Sequence, residues 1–543
     1  MSKPRFLSLN SLGRKLFCLT LLFIFVGLGK IAFSPFSKAS GQSASQSCST
    51  CSSIEPRMIY APTTGLPETA GSGIVLNCRS THAIEAVPTF YTADGAAIVG
   101  ETIQLQPAEI RFVSVESLIP EEHRGQHTWG GMSLSYTGML MAVWAQITLN
   151  GAGNRGSADV TFSVLNNLGS DTQEAVWRQP TPGKTVLALG NSSNSLIHTT
   201  VQFSDGDTQE IDIAPFATRY IRRNYSNNSA SKQSVKLITN GTSGSLKAVG
   251  YVASNNSTNN RFASSIRFYD TLSAVQPKLF ANNFRVKNSE SHLLLKNTTT
   301  SSISTQAQFH PTDGNGEPVS LPPVIIDAGQ IAEINLYPLQ VAAASRNDLD
   351  SVSVQIDNNG AVGSLIGALS SKNQTTGIVY DVPLRDSGRF RNSTGAYPWR
   401  LDGDYKSVVT LTNTNSQPTE FRATIFYNGG RYAINSRNLV AGETAKFDLK
   451  KLRDERIPDA FGNMIPATAT SGQFTWSILR PTASSRLIGR SEVVSKSNRV
   501  SSSYSCGLSC PDSGPNFRVD NTPINVFAGE FTNSNVQEVW TNT

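Results

Sequence analysis

The sequence predicts an all-β protein in which four tandem antiparallel β-sandwich units follow an N-terminal signal segment. Three observations lead to this prediction: a strand–turn–strand pattern that occurs four times, short stretches in which apolar and polar residues alternate, and the lack of a strongly helical pattern within the repeats. Alternation with a period of two is typical of strands that have one face in a core and the other in water. Several such strands, separated by Gly, Pro and Asn, are typical of an antiparallel sandwich.

The turns give the repeats their register. Asp94-Gly95, Asp205-Gly206, Asp313-Gly314 and Asn428-Gly429 are separated by 111, 108 and 115 residues. Asp-Gly and Asn-Gly suit tight hairpins because these turns need positive φ angles, which such residues tolerate. An alternating strand follows each turn and an apolar strand precedes it, the latter beginning at Ile74, Thr185, Leu293 and Val408.

Polar or Pro-containing joints divide the chain into segments. We expect a signal peptide or anchor at 1–41, a Ser/Thr-rich tether with CSTC at 42–70, β-sandwich units at 71–177, 178–272, 273–384 and 385–505, and a Cys-containing tail with a partial Ig-like segment at 506–543. Joints this short predict units that follow one another in a row. Inside the fourth unit, the segment DLKKLRDERI at 448–457 predicts a short helix.

The first 41 residues predict export. Several basic residues precede an apolar run from Leu16 to Gly29. As a helix this run spans about 21 Å, short of the roughly 30 Å hydrocarbon core, so a signal peptide is favoured over an uncleaved anchor. We therefore expect an extracellular or cell-surface location, which in a Gram-negative cell means the periplasm or the outer surface. A membrane contact is expected only through this segment, if it is not cleaved.

The basic charge of the chain belongs to the same segment. The formal charge is +6, and residues 1–41 hold six Lys and Arg residues and no acid. The remainder is neutral, which gives no support to electrostatic binding of nucleic acid.

The cysteines fit an oxidising compartment. Cys48 and Cys51 form one close pair and Cys506 and Cys510 another, and both pairs are disulfide candidates after export. The alternative is a zinc site made of all four thiolates, which requires that the two ends of the chain meet. Cys78 is the odd thiol, on a strand.

The repeats resemble immunoglobulin-like or fibronectin-type β-sandwich modules that occur in tandem on bacterial surface and secreted proteins. The resemblance is architectural, covers about residues 71–505 and lacks the Cys–Trp–Cys pattern of antibody domains. The tail at 517–543 resembles the opening strands of a bacterial group 2 Ig-like domain, with Val519, Gly529 and Trp540 at the strand, the bend and the later tryptophan.

Motifs for catalysis and metal binding are weak. The chain has no G-x-S-x-G, HExxH or P-loop sequence, and GAGNRG at 151–156 precedes a strand, which favours a glycine-rich loop over a dinucleotide site. Glu121, Glu122, His123 and His127 would suit a metal on a helical turn, but the neighbouring Pro and Gly favour a loop. We expect no catalytic residue, no metal and no cofactor.

Three acidic turns resemble calcium loops. Asp313 to Glu317 places oxygen side chains at alternate positions, and Asp205/Asp207 and Asp402/Asp404 do so more briefly. Ordinary hairpin turns explain all three better, because the distal glutamate of an EF-hand is missing.

Two kinds of residue point to sugars. Exposed tryptophans can stack on sugar rings, although most of Trp129, Trp144, Trp177, Trp399 and Trp476 are expected in the cores. N-glycosylation sequons include Asn191, Asn240, Asn256, Asn297, Asn373 and Asn392. These carry glycans in a eukaryotic secretory route and are polar surface in a bacterial one.

Together these features favour a non-enzymatic exported surface or secreted protein with a binding, adhesion or structural spacer role. Its expected partner is a cell-surface protein or a glycan. A carbohydrate-binding accessory protein is one alternative, and an enzyme whose site is assembled between units is a second.

Overall fold

The computed structural model describes residues 54–505 apart from 66–68, 81, 108, 126–129, 152–156, 162, 165–170, 227–231, 257–258, 271–273, 275–276, 313–315, 387–392, 482–485 and 498. The predicted signal segment, both cysteine pairs and the tail lie outside the described residues. The described part is built almost entirely of antiparallel sheets, so the predicted fold class is confirmed.

The strands form four successive sandwiches. Those of the first are β1 (Glu55–Ala61), β2 (Thr69–Cys78), β3 (Ile84–Tyr91), β4 (Ala97–Val99), β5 (Ile103–Leu105), β6 (Ile110–Ser114), β7 (Met132–Gly138), β8 (Val143–Gly151), β9 (Ser157–Thr161) and β10 (Ser163–Val164). Those of the second are β11 (Thr172–Arg178), β12 (Gly183–Asn191), β13 (Ile197–Phe203), β14 (Thr208–Ile213), β15 (Thr218–Tyr225), β16 (Lys232–Thr239), β17 (Leu246–Asn256) and β18 (Asn259–Ile266).

The third and fourth sandwiches follow the same plan. The strands of the third are β19 (Lys278–Arg285), β20 (Ser289–Asn297), β21 (Ile303–Pro311), β22 (Val319–Ser320), β23 (Val324–Ile326), β24 (Ile331–Glu333), β25 (Ser351–Asn358), β26 (Leu365–Asn373) and β27 (Val379–Val382). Those of the fourth are β28 (Thr394–Arg400), β29 (Lys406–Asn413), β30 (Thr419–Tyr427), β31 (Gly430–Leu439), β32 (Thr444–Asp448), β33 (Ser471–Ile478), β34 (Leu487–Ser495) and β35 (Val500–Ser505).

In the described part of the chain, the helices lie in loops. Helix α1 (Tyr337–Ser345) lies in the third sandwich and α2 (Leu449–Asp454) in the fourth, with single 3₁₀ turns at Glu116–Leu118, Glu121–His123 and Asn347–Leu349. The helix predicted at 448–457 is therefore confirmed, whereas α1 has no counterpart in the predictions. Among the described residues, no helix is long and apolar enough to cross a membrane.

Each sandwich pairs two sheets of constant topology. The "second sheets" have the orders β6-β2-β8-β9, β15-β12-β17-β18, β24-β20-β26-β27 and β32-β29-β34-β35. The "first sheets" contain β1, β11, β19 and β28 and lie on the other side of each core. Strand β21 alternates strictly between buried and half-buried residues, as the period of two predicts.

Two strands differ from the predicted segments. Strand β1 lies inside the stretch 42–70 that was expected to be a tether, and it pairs with β7 over seven residues. Its sequence EPRMIYA carries Ile59 and Ala61 into the first core, while Tyr60, on the opposite face, is buried against Gly190 of the second sandwich. Strand β11 pairs with β16 of the second sandwich, although most of it was assigned to the first unit.

The first sheet of each sandwich packs on the second sheet of the next. Between the first two sandwiches, Thr218 Oγ1 donates to the carbonyl of Pro62 at 2.8 Å. Between the second and third, Lys296 Nζ lies 2.5 Å from Glu174 Oε2, and both side chains are buried. These contacts join sandwiches that follow one another in the sequence.

The same packing continues past the third sandwich and closes a ring. Asn282 Nδ2 donates to the carbonyl of Thr410 at 3.3 Å, which joins the third sandwich to the fourth. Gln473 Nε2 donates to Asn77 Oδ1 at 2.8 Å, which joins the fourth sandwich back to the first. The expectation of units in a row is therefore wrong for the described residues.

Apolar burial gives the physical reason for closure. Val493 and Tyr504 of the fourth sandwich belong to the core cluster of the first. The ring of Tyr504 meets that of Trp144 edge-on, with centroids 5.9 Å apart. In a row of units these groups would face water, whereas closure buries them.

Candidate functional site

A wide groove lies on the fourth sandwich. It has a volume of about 900 Å³ and opens to solvent. Three segments form its walls: the β30–β31 hairpin, the end of α2, and the loop 462–467. We call this site the fourth-sandwich groove.

The hairpin wall depends on a tight turn. Gly429 has a φ of +83°, which an Asn-Gly turn requires and which other residues rarely adopt. Tyr427, before the turn, donates from its hydroxyl to the carbonyl of Arg431 at 3.2 Å. Burial and the nearby charge of Asp459 raise the pKa of the Tyr427 hydroxyl, so the phenol stays neutral at physiological pH. This wall thus offers an aromatic ring and a guanidinium.

The helical wall begins at a capped helix. Asp448 accepts a hydrogen bond from the Lys451 backbone N–H at 3.0 Å, a typical N-cap that satisfies one free amide of α2. At the other end, Arg453 donates to Asp454 Oδ1 at 2.8 Å and to the carbonyl of Ala469 at 3.0 Å. These two bonds hold the Arg453 guanidinium in the wall.

Arg456 follows the helix in a left-handed conformation, with a φ of +52°. Its side chain is exposed and makes no hydrogen bond or ion pair with any described residue. The guanidinium of Arg456 is therefore available to a ligand.

Asp459 shapes the loop wall. Its Oδ1 accepts the N–H groups of Phe461 and Asn463 at 2.8 and 2.7 Å, and its Oδ2 accepts the N–H of Ala433 at 2.9 Å. Burial alone would raise the pKa of Asp459, but these backbone donors outweigh it and lower the pKa. The ionised carboxylate therefore ties the loop to β31 and keeps the groove open.

The electrostatics of the fourth-sandwich groove favour an anion. Arg431, Arg453 and Arg456 line it, and Asp454 is its one acidic lining residue. Since Asp454 already accepts a bond from Arg453, its charge is largely used within the wall. Met464, 40 % exposed, adds an apolar patch beside the arginines.

Pockets between sandwiches are much smaller. The one between the second and third sandwiches lies beside Arg267, His292 and Asp381 and has a volume of about 20 Å³. That is room for about one water molecule. The described residues form no substrate-sized site at this junction.

The cysteine candidates fall outside the described residues, except for Cys78. Cys48, Cys51, Cys506 and Cys510 all lie outside them, so their pairing stays a prediction. Cys78 is the last residue of β2, as expected of a strand thiol, and it is buried without a disulfide.

The possible metal ligands in the first sandwich are only partly described. Glu121, Glu122 and His123 form one 3₁₀ turn, whereas His127 lies outside the described residues. Within the described part, no three His, Cys, Asp or Glu side chains converge as metal ligands.

The acidic turns have protein partners. Arg223 binds Asp205 at 2.6 Å and Asp207 at 3.5 Å. Asp402 accepts from Arg400, and Asp404 accepts from Ser495 Oγ at 2.6 Å. Protein donors therefore explain these carboxylates, while Asp313 lies outside the described residues.

The tryptophans are core residues where they are described. Trp144, Trp177, Trp399 and Trp476 are all buried, so none of the four offers a face to a sugar. Trp129 lies outside the described residues. The half-buried Tyr427 lines the fourth-sandwich groove.

Sequence reasoning identified two walls of the groove without identifying the groove. The Asn428-Gly429 hairpin and the helix after Asp448 were both predicted. The loop wall was missed because its key group, Asp459, acts through backbone amides that carry no sequence pattern.

Comparisons with known proteins identify no family. No family model matches the chain, and no curated protein matches it. Among solved structures, a "tetra-tandem repeat in extending region of large adhesion protein" aligns with 84% of this chain and all of that fragment, at 10% identity and a TM-score of 0.09.

Proposed function

We propose that the chain is an exported, non-enzymatic binding protein whose ligand occupies the fourth-sandwich groove. The observation that carries the proposal is the groove itself, which has a volume of about 900 Å³ and is lined by three arginines. Its size lies within the range typical of ligand sites, roughly 300–1,000 Å³. Export rests on the basic and apolar N-terminal segment.

Binding is favoured over a spacer role. A ring that returns the fourth sandwich to the first has less reach than four sandwiches in a row. The hydrogen bond between Gln473 and Asn77 is one of the contacts that hold the ring closed.

A carbohydrate-binding accessory protein is the second candidate. The buried tryptophans remove four of its five proposed stacking residues. Tyr427 in the groove supplies an aromatic ring in their place. This candidate therefore uses the same site and differs from the first only in ligand.

An enzyme with a site between sandwiches is the third candidate. The junction cavity beside Asp381, of about 20 Å³, gives it no support among the described residues.

The test blocks the groove with a large side chain. Ala467 lines the fourth-sandwich groove and is exposed, so Ala467→Trp fills the space without disturbing a core. Ala361→Trp, at an exposed position of the third sandwich, is the matched control. Fluorescently labelled full chain is applied to an array of oligosaccharides and extracellular-matrix peptides.

We expect the wild type and Ala361→Trp to bind one class of probe and Ala467→Trp to lose it. Equal binding by Ala467→Trp would place the ligand elsewhere and overturn the groove assignment. Failure of the wild type to bind any probe would overturn the binding role. Cleavage of a bound probe would overturn the non-enzymatic part.

A further inference from the structure

We infer that the fourth-sandwich groove takes an acidic oligosaccharide, in which carboxylate or sulfate groups are carried on pyranose rings. This inference rests on the proposed function and adds the ligand class. Charge, ring stacking and the shape of the groove support it.

Charge comes first. Arg456 is exposed and lacks any partner among the described residues, and Arg431 and Arg453 lie in the same groove. A guanidinium presents a planar fork of donors that matches a carboxylate or sulfate and forms strong charge-assisted bonds. Residues 42–543 as a whole have no formal net charge, so this concentration of arginines is local.

The side chains of Arg453 and Arg456 differ in conformational freedom. Two bonds, to Asp454 and to the Ala469 carbonyl, hold Arg453 in place. Arg456 has no such restraint. The first therefore supplies a fixed positive charge and the second a group that closes on the ligand's oxyanion.

The aromatic ring favours a sugar over a simple anion. Tyr427 is only half-buried and lies beside the two glycines Gly429 and Gly430, whose missing side chains leave its neighbourhood open. Because its hydroxyl is tied to the carbonyl of Arg431, the ring is held at a constant angle. A held aromatic face beside a guanidinium suits a pyranose ring that carries an acid group.

The shape favours a chain of several sugars over a monosaccharide. The groove is open rather than enclosed, and its volume of about 900 Å³ exceeds that of one sugar ring. Three segments form its walls. An oligomer fits such an open groove, with its acid groups toward the arginines.

The experiment measures affinity by titration calorimetry on the full chain. The probes are a hexuronate oligomer, a sulfated oligosaccharide, a neutral oligosaccharide of equal length and a glutamate peptide of equal charge. Arg456→Gln removes the free guanidinium. Arg437→Gln, on the same sandwich but outside the groove lining, is the matched control.

We expect an acidic oligosaccharide to bind at least tenfold more tightly than the neutral one. Arg456→Gln should weaken this binding about tenfold or more, and Arg437→Gln should leave it unchanged. Comparison of the affinities for the uronate and the sulfated probe shows whether the groove prefers a carboxylate or a sulfate. Wild-type affinity should also fall more steeply with salt than that of Arg456→Gln.

Three outcomes overturn the inference. Equal affinity for the neutral oligosaccharide would remove the acid requirement, and an unaffected Arg456→Gln variant would remove the role of that guanidinium. Tighter binding of the glutamate peptide would make the ligand an acidic peptide. In each case, if Ala467→Trp still loses binding, the groove remains the binding site and only the ligand class is wrong. Failure of this inference can therefore be distinguished from failure of the proposed function.

Discussion

At the scale of single residues, a buried asparagine fixes the same loop in three of the four sandwiches. Asn413 Nδ2 donates to the carbonyls of Gln417, Leu439 and Val440 at 2.8, 2.9 and 3.2 Å, and its Oδ1 accepts the Asn415 N–H at 3.0 Å. One side chain thus satisfies several backbone groups that are shielded from water.

Asn191 and Asn297 make the matching contacts. Asn191 Nδ2 donates to the carbonyls of Ser195, Ile213 and Ala214, and Asn297 Nδ2 does so to those of Ser301, Ile326 and Asp327. Both asparagines are fully buried. Their interpretation as surface or glycosylated sequons is therefore wrong, because the Ser or Thr two residues later serves as a local hydrogen-bond partner instead.

Cys78 takes this place in the first sandwich. Its backbone N–H donates to the carbonyl of Glu109, as that of Asn413 donates to Glu443. Its thiol reaches the carbonyl of His82 at 3.9 Å, four residues on, as Asn413 reaches Gln417. At 3.9 Å the thiol is a weaker hydrogen-bond donor than the asparagine amide that holds this place in the other sandwiches.

We predict that Asn413→Ala lowers the free energy of local unfolding by roughly 2–4 kcal/mol, because buried carbonyls lose their donor at about 1–3 kcal/mol each. Hydrogen exchange of peptides from β29 and β31 measures the change. Asn438→Ala, at an exposed position of β31, serves as the control. Equal exchange in the two variants would show that Asn413 does not hold the loop.

At the scale of elements, the last strand of each second sheet meets the others at the centre of the ring. Ser503 N–H of β35 donates to Asp159 Oδ2 of β9 at 2.8 Å, and the Asp159 N–H donates to Ser265 Oγ of β18 at 3.4 Å. The next hydrogen bond in this series connects the second sandwich to the third.

The same chain of bonds returns to the fourth sandwich. Ser265 N–H donates to Asp381 Oδ2 of β27 at 2.6 Å, and Arg490 Nη2 of β34 donates to the Asp381 carbonyl at 3.3 Å. Arg490 is fully buried and pairs with Glu492 at 2.9 Å. Each edge strand thus finds partners in a neighbouring sandwich, which protects it from unwanted pairing.

The carboxylates at this junction titrate abnormally. Burial raises the pKa of Asp381 to about 6, against the opposing bond from Ser265 and the charge of Arg267. Burial also raises the pKa of Asp159. A pKa above that of the unfolded chain means that the folded state binds the proton more tightly, so this contribution to stability is lost as pH rises from about 4 to about 6.

We predict that Asp381→Asn matches the wild type near pH 4 and is more stable above pH 6.5, by up to about 3 kcal/mol, because the variant cannot ionise in the junction. Denaturation curves between pH 4 and pH 8 test this. Asp327→Asn, at an exposed position, serves as the matched control. A variant at Asp381 that follows the wild type throughout would rule out a buried titration.

Individual elements were predictable where local chemistry decides them. Gly95, Gly206 and Gly429 all have positive φ angles, as the Asp-Gly and Asn-Gly turns required. Helix α1 was missed because YPLQVAAAS shows little amphipathic pattern, and only Leu339 and Ala343 are buried. Strand β1 was missed because its Ser/Thr-rich neighbourhood masks a short apolar stretch.

At the scale of the whole molecule, the central finding is that four sandwiches close a ring. Each junction repeats one geometry, first sheet on second sheet, and the last junction joins residues far apart in sequence, such as Gln473 and Asn77. A repeated interface of this kind closes without exposing an unpaired face, as heterologous contacts do in ring oligomers.

Sequence patterns predicted the four units but not their closure. Many of the polar residues that join the sandwiches are Ser, Thr, Asn, Gln and Asp on strands, where the same residue types are equally common on water-exposed faces. The fourth-sandwich groove was hard to predict from sequence for the same reason. Arg431 and Arg456 line one groove only because the hairpin and the helix that carry them pack together in the fold. Long-range packing decides both features.

The most direct test of ring closure is a disulfide between the first and fourth sandwiches. Thr148 Oγ1 and Ser502 Oγ lie 2.9 Å apart. The control pairs Thr148→Cys with Ser436→Cys, at an exposed site on edge strand β31 of the fourth sandwich. Full chains are oxidised at low concentration, and the monomer is digested and analysed by mass spectrometry.

We predict that Thr148→Cys with Ser502→Cys gives a linked peptide containing both positions and that the control pair does not. A yield for the 148–502 link no higher than that of the control pair would contradict the ring and leave four sandwiches in a row.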